Sequence, residues 1–290
     1  MTIKPLTVAI LADIHGLLPP LQAVVKDLAA HAPDEIIVAG DFLGGPQPLE
    51  VWSKLQSIKC RFILGNGETY MLRMRDGSAP GAWWSYRQFD MGRWVYDQLN
   101  PAVFDFLDGL IEQMVLALPG VTAVRIVHGS PWDANKLVFP EKNPQDLSRA
   151  MAMIPEQVLI FAHNHLPGIY HREGKLAVNP GSVGNNLNGD PRASYATLTW
   201  NGVEWVPEIH YVAYDLDETI EVFRSTGFLE AARPLSRAFL ESILTGENTA
   251  LDFIQFAAER AKNAVHHDFE AVPDKIWLEA ESAYPWRFDY

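Results

Sequence analysis

The sequence predicts an α/β fold. Apolar strand-like runs alternate with helix-like runs through most of the chain, and side chains able to bind metal recur at the ends of those strands. "TVAILAD" is an apolar strand ending at Asp13. Leu21, Val24, Val25 and Leu28 follow at i, i+3, i+4 and i+7, one buried face of a helix. "EIIVAGD" is the second strand, ending at Asp41, and Leu49, Trp52 and Leu55 mark the next helix. "CRFILGN" is the third strand and carries Asn66. This βαβαβ order implies a sheet with helices on its faces. Later strands are "VTAVRIVHG", "QVLIFAHNH", "KLAVNPG", "SYATLTW" and "GVEWVPEIHY", the last two joined by a hairpin turn at Asn201-Gly202. Residues of about 70–118 read as a helical, aromatic-rich insert within a domain spanning 1–214. Residues 215–290 read as a helical C-terminal extension packed on it. There Asn248 is an N-cap, and Leu251, Ile254, Ala258 and Ala261 make an apolar stripe. Three roles stay open for these helices: covering a sheet face, capping a site, or making a homo-oligomer contact.

Composition narrows the function. The chain has 290 residues, 48% of them hydrophobic and 20% charged, enough for one large domain with an appendage. Its single cysteine, Cys60, allows no internal disulfide and no cysteine metal site, and reads as a small core residue. The N-terminal apolar run is too short for a membrane span and lacks a signal-cleavage region, and no later run approaches the roughly 20 residues a span needs. The expectation is a soluble cytoplasmic protein with no membrane partner. A net charge of −13 argues against long nucleic acids. It leaves room for a small anionic substrate, because bound cations reverse the field locally.

The chemistry gathers at strand ends. Asp13 and His15 follow the first strand, Asp41 the second, Asn66 the third, His128 the fourth, and His163 and His165 the fifth. Ligands of open α/β sheets collect outside the carboxyl ends of strands. In extended chain residues i and i+2 point the same way, so Asp13 with His15, and His163 with His165, can each face one ion as a pair. Carboxylate with imidazole suits Mn, Fe or Zn. Seven ligands exceed what one ion takes from a protein, and two ions sharing a bridging carboxylate would use them. Taken singly, Asp-x-His and Gly40-Asp41 are ordinary turns and a lone His128 is a structural histidine. Their joint placement is what points to metal.

The stretches "ADIHG", "GDFLGG", "GN", "VHGSP", "AHNH", "VNPGSVG" and "GDPRASYATL", in this order, resemble the calcineurin-like metallophosphoesterase superfamily, in particular its small bacterial and archaeal phosphodiesterase branch. The resemblance implies a four-layer αββα sandwich with two metals between the sheets, and the aromatic insert resembles that branch's cap helices. It implies that Asp13, His15 and His165 hold one divalent ion, that Asn66, His128 and His163 hold the other, and that Asp41 bridges them. Mn is the favoured metal. It also makes Asp41 and His128 catalytic, and a water or hydroxide between the ions the nucleophile attacking a small phosphodiester or phosphoanhydride, a nucleotide among the options.

Relatives that cleave phosphomonoesters often follow the asparagine with His and then Asp, and that His donates a proton to the leaving oxygen. Here the positions hold Gly67 and Glu68. Such acid help is worth about 10²–10⁴-fold, so its loss favours substrates with good leaving groups. Glu68 is a candidate proton donor or a structural carboxylate. "NPGSVG" offers Gly181 and Ser182 as an anion nest for substrate phosphate, or is a tight turn. Asn66 and Arg192 are further candidate phosphate contacts, and Arg192 alternatively pairs with an acidic neighbour. Trp83, Trp84, Tyr86 and Trp94 either pack the insert or stack on a nucleobase. His171, His210 and His266-His267 read as outside any site. A non-catalytic scaffold is the competing reading, motivated by the missing donor. A metallo-β-lactamase-like hydrolase is weaker, because "HNHLPG" lacks the following Asp-His.

Overall fold

The computed structural model describes residues 5–262 and 272–290, so His266 and His267 lie outside the described residues. Two five-stranded sheets form the centre. The first holds β1 (Thr7–Leu11), β2 (Glu35–Val38), β3 (Arg61–Phe62), β9 (Ala193–Trp200) and β10 (Trp205–Val212) in the order β10-β9-β1-β2-β3. The second holds β4 (Gln113–Leu116), β5 (Val124–Val127), β6 (Val158–Ile160), β7 (Gly168–Arg172) and β8 (Lys175–Asn179) in the order β4-β5-β6-β8-β7. Both are mixed. β1, β2 and β3 run parallel, as do β5, β6 and β8, while β9, β10, β4 and β7 pair antiparallel.

Helices cover the outer faces. They are α1 (Leu18–His31), α2 (Pro48–Gln56), α3 (Asn66–Asp76), α4 (Ala82–Ser85), α5 (Asp90–Gln98), α6 (Pro101–Asp108), α7 (Pro144–Met153), α8 (Leu216–Ser225), α9 (Phe228–Ala231), α10 (Leu235–Thr245), α11 (Thr249–Lys262) and α12 (Asp274–Ala283). The period of two along β1 divides its side chains between two cores. Val8 and Ile10 join Ile37, Ile126, Ile160 and Val178 between the sheets. Ala9 and Leu11 join Leu21, Val24 and Leu28 of α1 outside the first sheet. On the far side Leu147 and Met151 of α7 pack on Leu159 and Ala177. The layers are therefore α, β, β, α, as the resemblance implies.

Two strands differ from the sequence expectation. The segment from 70 to 118 is helical only to Asp108 and ends in β4, because Gln113–Leu116 pairs with β5. Four residues are too few for periodicity to separate a strand from a helix end. Gly168–Arg172 is also a strand, joined to β8 by Glu173 and Gly174, both at positive φ. The Asn201 turn is present, with its Oδ1 accepting the N–H groups of Val203 and Glu204. Cys60 is partly buried, and burial pushes its thiol up to about 12.

The C-terminal helices divide their contacts. Phe223, Phe228, Phe239 and Ile243 belong to the same core as α1 and α2. Phe253, Ala257, Ala261 and Trp277 form a separate cluster between α10, α11 and α12. Asn248 does cap α11, its Oδ1 accepting Leu251 N–H at 3.1 Å. Of the expected stripe Ala261 is buried and Ile254 and Ala258 pack against this cluster, but Leu251 is 44% exposed, and the fully buried stripe is Phe253, Ala257 and Ala261. Both stripes fit a 3.6-residue period, and only the packing partner chooses between them.

Candidate metal centre

Asp13 and His15 leave β1, Asp41 leaves β2, His128 leaves β5, and His163 and His165 leave β6. Five of these turn sharply at the strand end: φ is 51° at Asp13, 50° at His15, 53° at Asp41, 69° at His163 and 58° at His165. Left-handed backbone at a residue other than glycine is uncommon and strained. It is held by bonds between loops. Asp13 N–H donates to Gly40 O at 3.1 Å, His15 N–H to Asp41 O at 3.0 Å, and Gly184 N–H to Asp13 O at 3.0 Å.

Asp13 and His15 stay in one group as their spacing suggests, but the left-handed turns set His163 apart from His165, against the reading of extended chain. Ligand atoms of Asp13, His15 and His165 gather in one group, and those of Asp41, His128 and His163 in another. His163 and His165 therefore belong to different groups, because the chain between them is coiled rather than extended. Asn66 is the first residue of α3, and its Oδ1 lies 3.0 Å from His128 Nε2, beside the second group.

Both groups have features that fit a cation. Asp13 Oδ1 is buried without a hydrogen-bond partner, while its Oδ2 accepts His163 N–H at 3.1 Å. A buried orphan carboxylate oxygen is costly unless a positive ligand meets it. His15 Nε2 and His165 Nε2 face each other at 3.0 Å. His128 Nδ1 meets Ala39 O at 2.8 Å, and His165 Nδ1 meets Asn185 O at 2.7 Å. Anchoring Nδ1–H on a carbonyl leaves Nε2 as the ligand atom, the usual arrangement behind metal-bound imidazole. A third group, Asp27, His31 and His210, contrasts with these. There Asp27 Oδ2 accepts Tyr195 O–H at 2.6 Å and His210 Nε2 meets Thr197 Oγ1 at 2.8 Å, so protein partners already serve it.

Electrostatics bind the groups together. Burial pushes the Asp13 and Asp41 carboxyls up, but the surrounding histidines outweigh it and hold both below the usual range. Burial also opposes the charge on His128, yet Asp41 and Asp13 raise it to about 10. His165 is raised against burial by Asp13. His15 falls to about 4 through burial and the neighbouring His165, and His163 is lowered by burial and by His128. A proton held on His128 supplies positive charge beside the two carboxylates.

The groups open onto a cavity of about 560 Å³ lined in part by His15, Asp41, Asn66, Gly67, His163 and His165. Residues 6–202 match the family model of the calcineurin-like phosphoesterase superfamily domain. The chain belongs to that superfamily. It is 25% identical over 245 residues to an uncharacterized protein of Methanocaldococcus jannaschii, covering 74% of this chain and 90% of that one. It is 27% identical over 201 residues to phosphodiesterase YfcE of Escherichia coli, covering 64% of this chain and 84% of that one. Its fold is similar to the crystal structure of a metallophosphoesterase from Sphaerobacter thermophilus, with a TM-score of 0.66 and 24% identity over 84% of this chain and 100% of that one. A hypothetical protein from Pyrococcus horikoshii gives a TM-score of 0.67 with 17% identity over 83% and 98%.

Within this calcineurin-like phosphoesterase several candidate residues sit elsewhere than a substrate role requires. Glu68 is fully buried at the third position of α3. Its carboxylate accepts the N–H groups of Asp41 at 2.8 Å, Phe42 at 2.9 Å, Leu43 at 3.2 Å and Gly65 at 3.0 Å. It braces the loop that carries Asp41 and is not among the cavity residues, so its place is that of a structural carboxylate rather than a proton donor. Gly181 N–H donates to Asn179 Oδ1 and Ser182 N–H to Asn186 Oδ1, both at 2.9 Å, so the glycine-rich turn spends its donors internally. Ser182 Oγ donates to Asp13 O at 2.6 Å, behind the metal centre. Arg192 pairs with Asp190 and lies over Tyr211. Trp83 and Trp94 pack against Tyr70 and Phe228, and the insert lines the cavity instead with Met91, Gly92 and Val95.

Lys142, Asn185 and the C-terminal residues Phe239, Leu251 and Ile254 also line the cavity. Sequence reasoning missed all of these as site residues. No motif carries them, and Lys142 sits in a polar loop without a periodic signal. Gly65 is the residue that lets Asp41 in: a Cβ there would lie 2.1 Å from Asp41 Oδ1.

Proposed function

We propose that this protein is a phosphodiesterase working with two divalent ions, Mn favoured, on a small phosphorylated substrate in the cytoplasm. The observation that carries the reading is the orphaned Asp13 Oδ1 at the heart of two ligand groups that share one cavity. Asp13, His15 and His165 would hold one ion, and Asn66, His128 and His163 the other. Asp41 would be shared, since His128, His15 and His163 all act on its carboxylate. When bound, such ions activate a water nucleophile and neutralise phosphoryl charge.

The chain's own residues then position and neutralise, which is most of what phosphoryl transfer asks of a protein. Gly67 N–H fixes Asp41 Oδ1 at 2.8 Å. Lys142 is the only Lys or Arg among the described cavity residues and supplies positive charge for a phosphate oxygen. No histidine follows Asn66 to protonate a leaving group, which favours diesters and anhydrides with stable leaving groups. The name of the Escherichia coli relative supports the diesterase side.

The test is metal analysis followed by an assay with Mn²⁺. Two equivalents of metal, and faster cleavage of bis-p-nitrophenyl phosphate than of an alkyl phosphomonoester, are expected, with Asp41→Asn as the inactive control. The reverse ranking sinks the substrate assignment. The missing donor at Gly67 also motivates a scaffold without catalysis. A chain that takes up no metal on reconstitution would support it.

A further inference from the structure

Phosphoryl chemistry needs a polar, cation-holding floor. The cavity has in addition an apolar wall. Met71 of α3, Val95 of α5, Phe239 of α10, and Leu251 and Ile254 of α11 all line it. Phe239 ties this wall to the metal centre, its ring standing edge-on to His15 with centroids 5.9 Å apart.

Of the two α11 residues, Ile254 also packs against the cluster of α10, α11 and α12, while Leu251 is not spent on folding. That helix docks through Phe253, Ala257 and Ala261, which are 0%, 0% and 4% exposed. Leu251 stands outside this cluster at 44% exposure, and Leu137, another cavity residue, is 38% exposed. Large apolar side chains left in water at the mouth of a catalytic cavity mark a ligand surface. Several polar lining groups are engaged, although Asn185 Oδ1 is buried without a hydrogen-bond partner. Asn164 Nδ2 donates to Val138 O, Asn248 Oδ1 accepts Leu251 N–H, and Tyr70 O–H donates to Asn135 Oδ1. The apolar wall itself offers a nucleobase no group to read its edges.

We propose that the cavity selects phosphodiesters carrying an alkyl or aryl arm, which lies against Phe239, Leu251 and Ile254 while the phosphate meets the metal centre. This rests on the phosphodiesterase reading and adds the substrate class to it. The C-terminal helices become the specificity element of the enzyme.

The test keeps the leaving group constant. Methyl, hexyl and 5′-thymidyl esters of p-nitrophenyl phosphate are compared with the Mn²⁺-loaded protein. Each buried methylene adds about threefold to fourfold in binding, so kcat/KM for the hexyl ester should exceed the methyl value by about tenfold or more. It should also exceed the thymidyl value. Leu251→Gln and Ile254→Gln should bring the hexyl-to-methyl ratio toward one, and Leu251→Met should keep it. Hexylphosphonate, which cannot turn over, should bind more tightly than methylphosphonate by calorimetry and lose that advantage in Leu251→Gln. Equal hydrolysis of hexyl and methyl esters, a thymidyl preference, or a ratio untouched by both glutamines overturns the proposal and leaves the phosphodiesterase reading standing. Absence of hydrolysis with chain-length-dependent phosphonate binding overturns the phosphodiesterase reading and supports the apolar subsite.

Discussion

Glu68 holds Asp41 from behind: its Oε2 accepts the Asp41 backbone N–H at 2.8 Å while also accepting Gly65 N–H at 3.0 Å. One buried carboxylate thus ties the loop after β2 to the start of α3, the two places from which Asp41 and Asn66 reach the cavity. Glu68→Gln turns a donating NH2 toward N–H donors and strands at least one N–H. A loss of about 2–3 kcal/mol is expected in urea unfolding, with weaker metal binding. A variant as stable as the parent would show that the brace is dispensable.

His128 gives the site a pH dependence whose sign is fixed. Burial opposes its charge, but Asp41 and Asp13 raise it to about 10 from an ordinary 6.5. In the metal-free protein this contribution to stability is fully present below 6.5 and is lost as pH rises through about 10. A metal must displace that proton, so affinity should rise with pH through the same window. Calorimetry at pH 7 in buffers of different ionisation enthalpy should show proton release on Mn²⁺ binding. Buffer-independent heats would refute it.

Gly67 is where a proton donor can be restored. Its Cβ would come 3.1 Å from Asp41 Oδ1, a tight but not forbidden approach. Gly67→Ala should lower kcat on all substrates by a few-fold through this crowding. Gly67→His should raise the rate on alkyl leaving groups relative to nitrophenyl ones by about tenfold or more. An unchanged ratio would mean that another group already supplies the proton.

Ser182 links the glycine-rich turn to the metal centre from the buried side. Its Oγ donates to Asp13 O and accepts Asn185 N–H at 2.7 Å. Ser182→Ala should cost about 1–3 kcal/mol of stability while leaving the inhibition constant of inorganic phosphate within about twofold, as expected when no direct phosphate bond worth about 1 kcal/mol is lost. A large rise in that constant would return Ser182 to the phosphate.

The sequence determined the layered fold and the identity of the candidate ligands. The apolar run in "TVAILAD" folds as β1, and a carboxylate or imidazole just past each such strand is carried to the same edge of the molecule. Spacing read as extended chain pairs His163 with His165, whereas the family resemblance divides them between two ions. The split of His163 from His165 follows from left-handed turns held by hydrogen bonds between loops far apart in sequence. Glu68 could not be separated from a proton donor by residue type. Only the convergence of four backbone N–H groups on its carboxylate, from two segments, separates the roles. The C-terminal helices were the least readable part. Periodicity reports that a face is apolar, not what it meets, and α11 meets both its own helical cluster and the cavity, with Ile254 touching both.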